Sequence, residues 1–125
     1  KFSEFSIINP ILISDIIKFF CNKKSINLKF PNDIMIDNKK ICGLLQELIT
    51  LNNKKFLIIG IGINLISSPD LQNDYKTTNI LSETNKKVDK KEMINLIVSS
   101  YEDFFKNIKS YKYINYKQKA DLLAL

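Results

Sequence analysis

The residues able to do chemistry gather in two stretches. The first, 28–48 (LKFPNDIMIDNKKICGLLQEL), carries Lys29, Asn32, Asp33, Lys40 and Gly43. The second, 56–64 (FLIIGIGIN), carries Gly60, Gly62 and Asn64. A lysine ammonium is a compact charge suited to a phosphate or carboxylate oxygen. A lysine at a strand edge is more commonly a solvated surface group, so Lys40 gains weight only from its neighbours. Chief among these is Gly43, because glycine inside a strand often marks the close approach of a ligand or another backbone. Asn32 and Asp33 follow Pro31. They fit an ordinary turn; equally, they fit an amide that reads a base edge beside a carboxylate that holds a cation or orients a lysine. Gly60 and Gly62, two apart in an apolar strand, leave one face bare. A flat ligand can lie on such a face, or the gap can serve a bulge or tight packing against a helix. Asn64 offers a donor and an acceptor together, as adenine recognition needs.

Several chemistries drop out at once. The chain has no His, which removes a Ser-His-Asp triad and imidazole acid–base catalysis. Two isolated cysteines do not make a structural zinc site. Gly60-Ile61-Gly62 is neither a dinucleotide fingerprint nor a Walker loop, since no Gly-Lys-Ser/Thr follows. Asp33, Asp37 and Glu47 show no spacing that demands a glycosidase-type carboxylate pair. All 19 basic residues are lysine, and the net charge is +6. Bidentate readout of phosphate or guanine is usually done by Arg, so the charge is assigned to solvated surface rather than to nucleic acid. The Lys, Asn and Ile richness also suggests an AT-rich genome.

These candidates need a scaffold, and 125 residues with 45% hydrophobic content supply one domain with a single core. No apolar run reaches the roughly 18 residues of a membrane span, and the first residues do not form a signal peptide. Cys21 and Cys42 are expected as free thiols in a reducing cytoplasm. The chain has no initiator Met and is expected to be a fragment. Residues 1–7 read as the end of a strand. Asn9-Pro10 reads as the N-cap and first position of a buried helix over 10–23, with Lys23 and Lys24 in or beside its last turn. Strands are expected over 27–30, 34–37, 40–50 and 55–64, with turns at Asn38-Lys39 and at 52–54. A loop over 66–76 and one helical turn over 78–84 follow. Asp89 and Glu92 have capping-box spacing before an amphipathic helix carrying Ile94, Ile97, Val98, Tyr101, Phe104, Phe105 and Ile108. A last helix is expected over 110–125. The fold class is α+β: a mixed, mainly antiparallel sheet packed by helices.

The spacings are those of a known family. Lys29-Phe30-Pro31-Asn32-Asp33, Lys40-Ile41-Cys42-Gly43-Leu44-Leu45-Gln46-Glu47 and Gly60-Ile61-Gly62-Ile63-Asn64 follow one another as in the biotin protein ligases. The sequence resembles that family over about 10–64, and more loosely beyond. Phe30 stands where the family has Trp, keeping an aromatic ring but losing the indole donor. Cys42 stands where the family has Ala. The resemblance implies a biotin/lipoate ligase-like, class II synthetase-like fold. It implies ATP-dependent activation of biotin to biotinyl-5′-AMP, then transfer to a lysine of the biotin carboxyl carrier protein. By carry-over, Lys40 contacts the biotin carboxylate and the phosphate, with Lys29 a less direct contact. Gly43 lets the backbone approach biotin. Asn32 and Asn64 face the adenine, and Gly60 and Gly62 line the nucleotide site. Asp33 positions the incoming lysine or a Mg²⁺. No dedicated protein metal site, membrane contact or nucleic-acid contact is expected of this chain, and a homodimer by sheet extension is left open.

The family's Ser-Ser-Thr motif and Gly-Arg-Gly-Arg-x-Gly-Arg loop lie N-terminal to these residues. Residues 1–125 are therefore expected to be the C-terminal portion of a catalytic domain, without the small SH3-like domain that often follows, and weak or inactive alone. Two other readings stand beside this one: a lipoate-type acyl ligase, and a non-catalytic basic α+β binding module whose glycines serve packing only.

Overall fold

The computed structural model describes residues 2–69 and 76–125. A short 3₁₀ turn, Phe2–Glu4, leads into helix α1, Phe5–Phe20. Four strands follow: β1 Ile26–Lys29, β2 Asp33–Ile36, β3 Lys39–Leu51 and β4 Lys54–Ile63. Helices α2 Ile80–Thr84, α3 Lys90–Lys106 and α4 Tyr113–Leu123 complete the chain. The strands form one antiparallel sheet in the order β1-β2-β3-β4. The α+β architecture is as the sequence indicated.

α1 is apolar on nearly every side and is accordingly buried, with Ile8, Ile13 and Ile17 fully enclosed. It packs with Ile26, Leu28, Ile34, Ile36, Ile41 and Leu44 of the sheet in one core. Each such side chain contributes about 1.5–3 kcal/mol by leaving water. α1 begins earlier and ends earlier than its sequence signals suggest. Pro10 lies inside it rather than at its start, and residues 2–7 are helical rather than extended. The physical reason is burial: Phe5, Ile8 and Leu12 join Phe104 of α3 in a second apolar cluster, and that outweighs the one backbone hydrogen bond Pro10 cannot donate. Cys21 is the C-cap, so Lys23 and Lys24 lie beyond the last turn, where Lys18 stands instead.

Both tight hairpins are two-residue turns whose central residues have positive φ. They are Asp37-Asn38 (49° and 62°) and Asn52-Asn53 (51° and 64°). The first therefore sits one residue before the Asn38-Lys39 position expected from sequence. Asp and Asn tolerate left-handed φ, and Lys does so poorly, so Lys39 goes into the strand.

Asp89 occupies the N-cap of α3 in an extended conformation but makes no side-chain cap hydrogen bond, so the capping box is not formed. Of the apolar residues expected on one face of α3, Phe104 is buried while Ile94, Val98, Phe105 and Ile108 are exposed, and Met93 takes a core place. α4 is shorter than the 110–125 span. Of the 66–76 loop, 70–75 lie outside the described residues, as does Lys1. Among the described residues, no helix is long and apolar enough to cross a membrane.

Candidate functional site

Register places one candidate residue from each strand in a single row. Lys29 pairs with Asp33, Asp33 with Gly43, and Gly43 with Gly62. One step along, Leu45 pairs with Gly60. Paired residues share a face and alternate residues along a strand share a face. The three glycines of the chain therefore lie together on the side of the sheet away from the helices, with Gly60 and Gly62 exposed.

The glycines are bare for neither of the ordinary structural reasons. None has positive φ. The β3–β4 register runs through them without interruption, so no bulge requires them. A Cβ on Gly60 or Gly62 would meet its nearest neighbours at 3.6 Å and 3.9 Å, ordinary contact distances. What the glycines provide is a flat floor, free of side chains.

Gly43 is different: a Cβ there would lie 3.2 Å from Cε and 3.3 Å from Nζ of Lys40. The lysine thus lies across the glycine. A bulge makes this arrangement. Ile34 pairs with Cys42 and Met35 with Lys40, leaving Ile41 as the extra residue of β3. The added residue reverses the alternation, so Ile41 and Cys42 are both buried, at 0% and 1% exposure, and Lys40 turns onto the glycine face. There its Nζ stands 3.1 Å from Asp33 Oδ1, with both side chains partly exposed. An ion pair in that setting adds at most about 1 kcal/mol to stability, so its main effect is to orient the ammonium.

The surrounding backbone holds this arrangement. Leu44 N donates to Asn32 O at 2.8 Å, tying the Phe30–Asn32 turn to β3. The Phe30–Pro31 peptide in that turn is cis. A strap over 76–78 runs parallel beside Lys40: Lys40 N donates to Lys76 O (2.8 Å) and Thr78 N donates to Lys40 O (2.9 Å). Asn64, at the end of β4, uses its side-chain Nδ2 to donate to Thr78 O at 3.0 Å. One of its two amide functions is thus committed to the fold, and Oδ1 is the group left for a ligand. Lys40, Gly43, Gly62, Asn64, Thr77 and Pro69 line a cleft of about 380 Å³. A larger cleft of about 600 Å³, beside Tyr111, Tyr116 and Asp15, is lined by none of these residues.

Cys42 is a packing group: burial pushes its thiol up to about 12, outweighing the opposing pull of Lys40. The two cysteines are free. One residue with little sign in the sequence, Glu83, completes the surroundings. Glu83 accepts from Thr78 Oγ1 at 2.5 Å and from Lys39 Nζ at 2.9 Å. Burial raises its pKa, but the Thr78 hydroxyl, Lys39 and Lys24 outweigh that and hold it below the ordinary value. The available signal was an acid inside the short apolar turn Asn79-Ile80-Leu81-Ser82-Glu83, too common a pattern to single out.

The site therefore offers an ammonium held by a carboxylate over a bare floor, with an amide oxygen at one end. That geometry suits a flat, anionic ligand whose charge meets Lys40. Among the described residues, no three His, Cys, Asp or Glu side chains gather as metal ligands. Asp33 faces Lys40.

No family model matches the chain. It is 30% identical over 103 residues to the bifunctional ligase/repressor BirA of Bacillus subtilis strain 168, covering 79% of this chain and 32% of that protein. The BirA protein of Bacillus spizizenii matches to the same extent. Among solved structures, the biotin protein ligase of Aquifex aeolicus in complex with biotin and ATP superposes with a TM-score of 0.77 at 25% identity, over 98% of this chain and 51% of that one. The Leishmania major ligase in complex with biotinyl-5-AMP gives 0.65 at 26% identity, over 82% of this chain and 40% of that one. The chain thus spans about a third of the length of the curated relatives it matches.

Proposed function

From the premise that this chain belongs to the biotin protein ligase family, we propose that it supplies one wall of a site that activates biotin with ATP to biotinyl-5′-AMP and transfers the biotinyl group to a carrier-protein lysine. The biotin carboxyl carrier protein is the proposed acceptor, and the cytoplasm the proposed compartment. Biotin's carboxylate attacks the α-phosphate and pyrophosphate leaves; the acceptor amine then attacks the mixed anhydride and AMP leaves. In this reading Lys40 meets the charge that grows on the phosphoryl and carboxylate oxygens, where a fixed cation is worth most. Asp33 aims Lys40 and stands beside the path of the incoming amine. Gly43, Gly60 and Gly62 form the floor on which the flat part of the adenylate lies. Asn32 and Asn64 stand at the adenine end, Asn64 through Oδ1. Lys29 is an outer contact for the anion. Mg²⁺ would be carried by the phosphates of ATP and would offset part of their charge. No nucleic acid, membrane or second copy of the chain is needed for this chemistry.

The observation that carries the proposal is Lys40 lying across Gly43 at 3.2 Å to the position of a Cβ, with Asp33 at 3.1 Å. Against a packing role for the glycines, Gly60 and Gly62 are exposed, and among the described residues no helix covers their face.

The test is biotin-dependent exchange of pyrophosphate into ATP by the full-length protein. Lys40→Ala is expected to lower kcat/KM by roughly 10²–10³, or about 3–4 kcal/mol. A wild-type protein that exchanges no pyrophosphate with biotin present would remove the ligase reading. An unchanged rate in Lys40→Ala would remove Lys40 from the chemistry.

A further inference from the structure

Glu83 touches none of the residues assigned above, yet it holds the neighbours of two of them. Its side chain is 4% exposed. Thr78 Oγ1 and Lys39 Nζ both donate to Oε2, and Lys24 Nζ stands 3.5 Å from Oε1. Lys39 immediately precedes Lys40 at the end of the hairpin. Thr78 is the strap residue whose N–H donates to Lys40 O and whose carbonyl accepts from Asn64 Nδ2. One carboxylate therefore fixes the strand on one side of the cleft and the strap that joins Lys40 to Asn64.

We propose that Glu83 is a positioning residue: through Lys39 and Thr78 it sets where Lys40 and Asn64 stand in the cleft. The proposal rests on the ligase reading above. A buried carboxylate is costly unless it is paired and hydrogen-bonded. For stability alone, replacing a buried ion pair as a whole by well-packed apolar side chains is often neutral or stabilising. A charge fits a different need here, because it binds two separate segments in defined directions. A displacement at Thr78 passes to the Lys40 carbonyl and to the Asn64 amide together. Reacting groups tolerate little of this, since a misplacement of about 1 Å can cost about 10²-fold in rate.

The test uses the full-length protein with Glu83→Gln and Thr78→Val, each measured by biotin-dependent ATP–pyrophosphate exchange over a range of biotin concentrations and by thermal unfolding. Gln is close in size to Glu, and Val removes only the hydroxyl donor. We expect kcat to fall about 10-fold or more in both variants, with KM for biotin changed less than kcat, and with activity still lost well below the unfolding midpoint. Loss of activity that tracks unfolding and returns on cooling assigns Glu83 to stability and overturns the proposal. Normal kcat in both variants, beside an active wild type, overturns it alone. An inactive wild type removes the ligase reading and this proposal with it.

Discussion

Gly43→Ala separates folding from function at this site. The added Cβ would stand 3.2 Å from Lys40 Cε and 3.3 Å from Nζ. Ordinary carbon contacts begin near 3.4 Å, so the lysine has to give way by a few tenths of an ångström. Because the obstacle is the far end of a flexible side chain, the fold absorbs it cheaply. Ala also recovers roughly 0.5–1 kcal/mol relative to Gly in a strand. The net change in stability is expected within about 1 kcal/mol of zero. The effect on the site is larger. Lys40 has to leave a position fixed by its 3.1 Å contact with Asp33. On the proposed ligase reading, a displacement of part of an ångström at Lys40 is expected to lower kcat/KM about 10- to 100-fold, or about 1.4–2.7 kcal/mol. Urea unfolding and biotin-dependent pyrophosphate exchange on the same preparation measure the two quantities. Full activity would refute the placement of Lys40 over Gly43 as the working geometry. A loss of several kcal/mol in stability would refute the claim that only a flexible side chain stands in the way.

Three further outcomes follow from the same geometry. Glu83 has its pKa lowered from an ordinary 4.5, so its contribution to stability is fully present above that value and is lost as pH falls through the folded-state pKa; the stability gap between wild type and Glu83→Gln should shrink below about pH 4.5, and a gap constant with pH in acid would contradict this. Cys42 has its thiol pushed up to about 12 and is 1% exposed, and Cys21 is raised by burial and by Glu83; both should react with a thiol reagent at pH 8 only after denaturation, and rapid native labelling would place a thiolate where the structure has packing. Asn38 has a φ of 62°, so Asn38→Val should cost about 1–2 kcal/mol in unfolding free energy while Asn38→Gly stays near neutral; equal effects would mean the turn does not use left-handed backbone.

Legibility in the sequence followed the range of the forces involved. Strand positions were readable because alternation is local: Gly60 and Gly62 on one face follows from a spacing of two, and the structure puts both on the exposed side. Turn chemistry was nearly readable. The Asp-Asn-Lys run contains the turn, but the one-residue shift to Asp37-Asn38 comes from which residues tolerate φ of 49° and 62°. Helix ends were least readable. Pro10 is a strong start signal on its own, yet α1 runs back to Phe5 because an aromatic contact with Phe104, nearly a hundred positions away, decides the matter.

The bulge at Ile41 explains why the site's residues had to be weighed together. Simple alternation puts Lys40 on the face of Cys42, buried and useless. Inserting one residue sends Ile41 and Cys42 into the core and leaves Lys40 over the glycine floor. No local preference of Ile41 announces this. What enforces it is the row Asp33, Gly43 and Gly62, held in register on both sides of β3, together with the core's demand for two consecutive apolar side chains. The same logic accounts for Glu83. It lies 43 residues after Lys40 in the chain and becomes meaningful only once the strap at Thr78 lies parallel to the bulge. In the proposed site, where Lys40 serves as a fixed charge, the bulge and the strap hold its backbone, Glu83 holds the strap through Thr78, and Asp33, 3.1 Å from Nζ, orients the side chain itself.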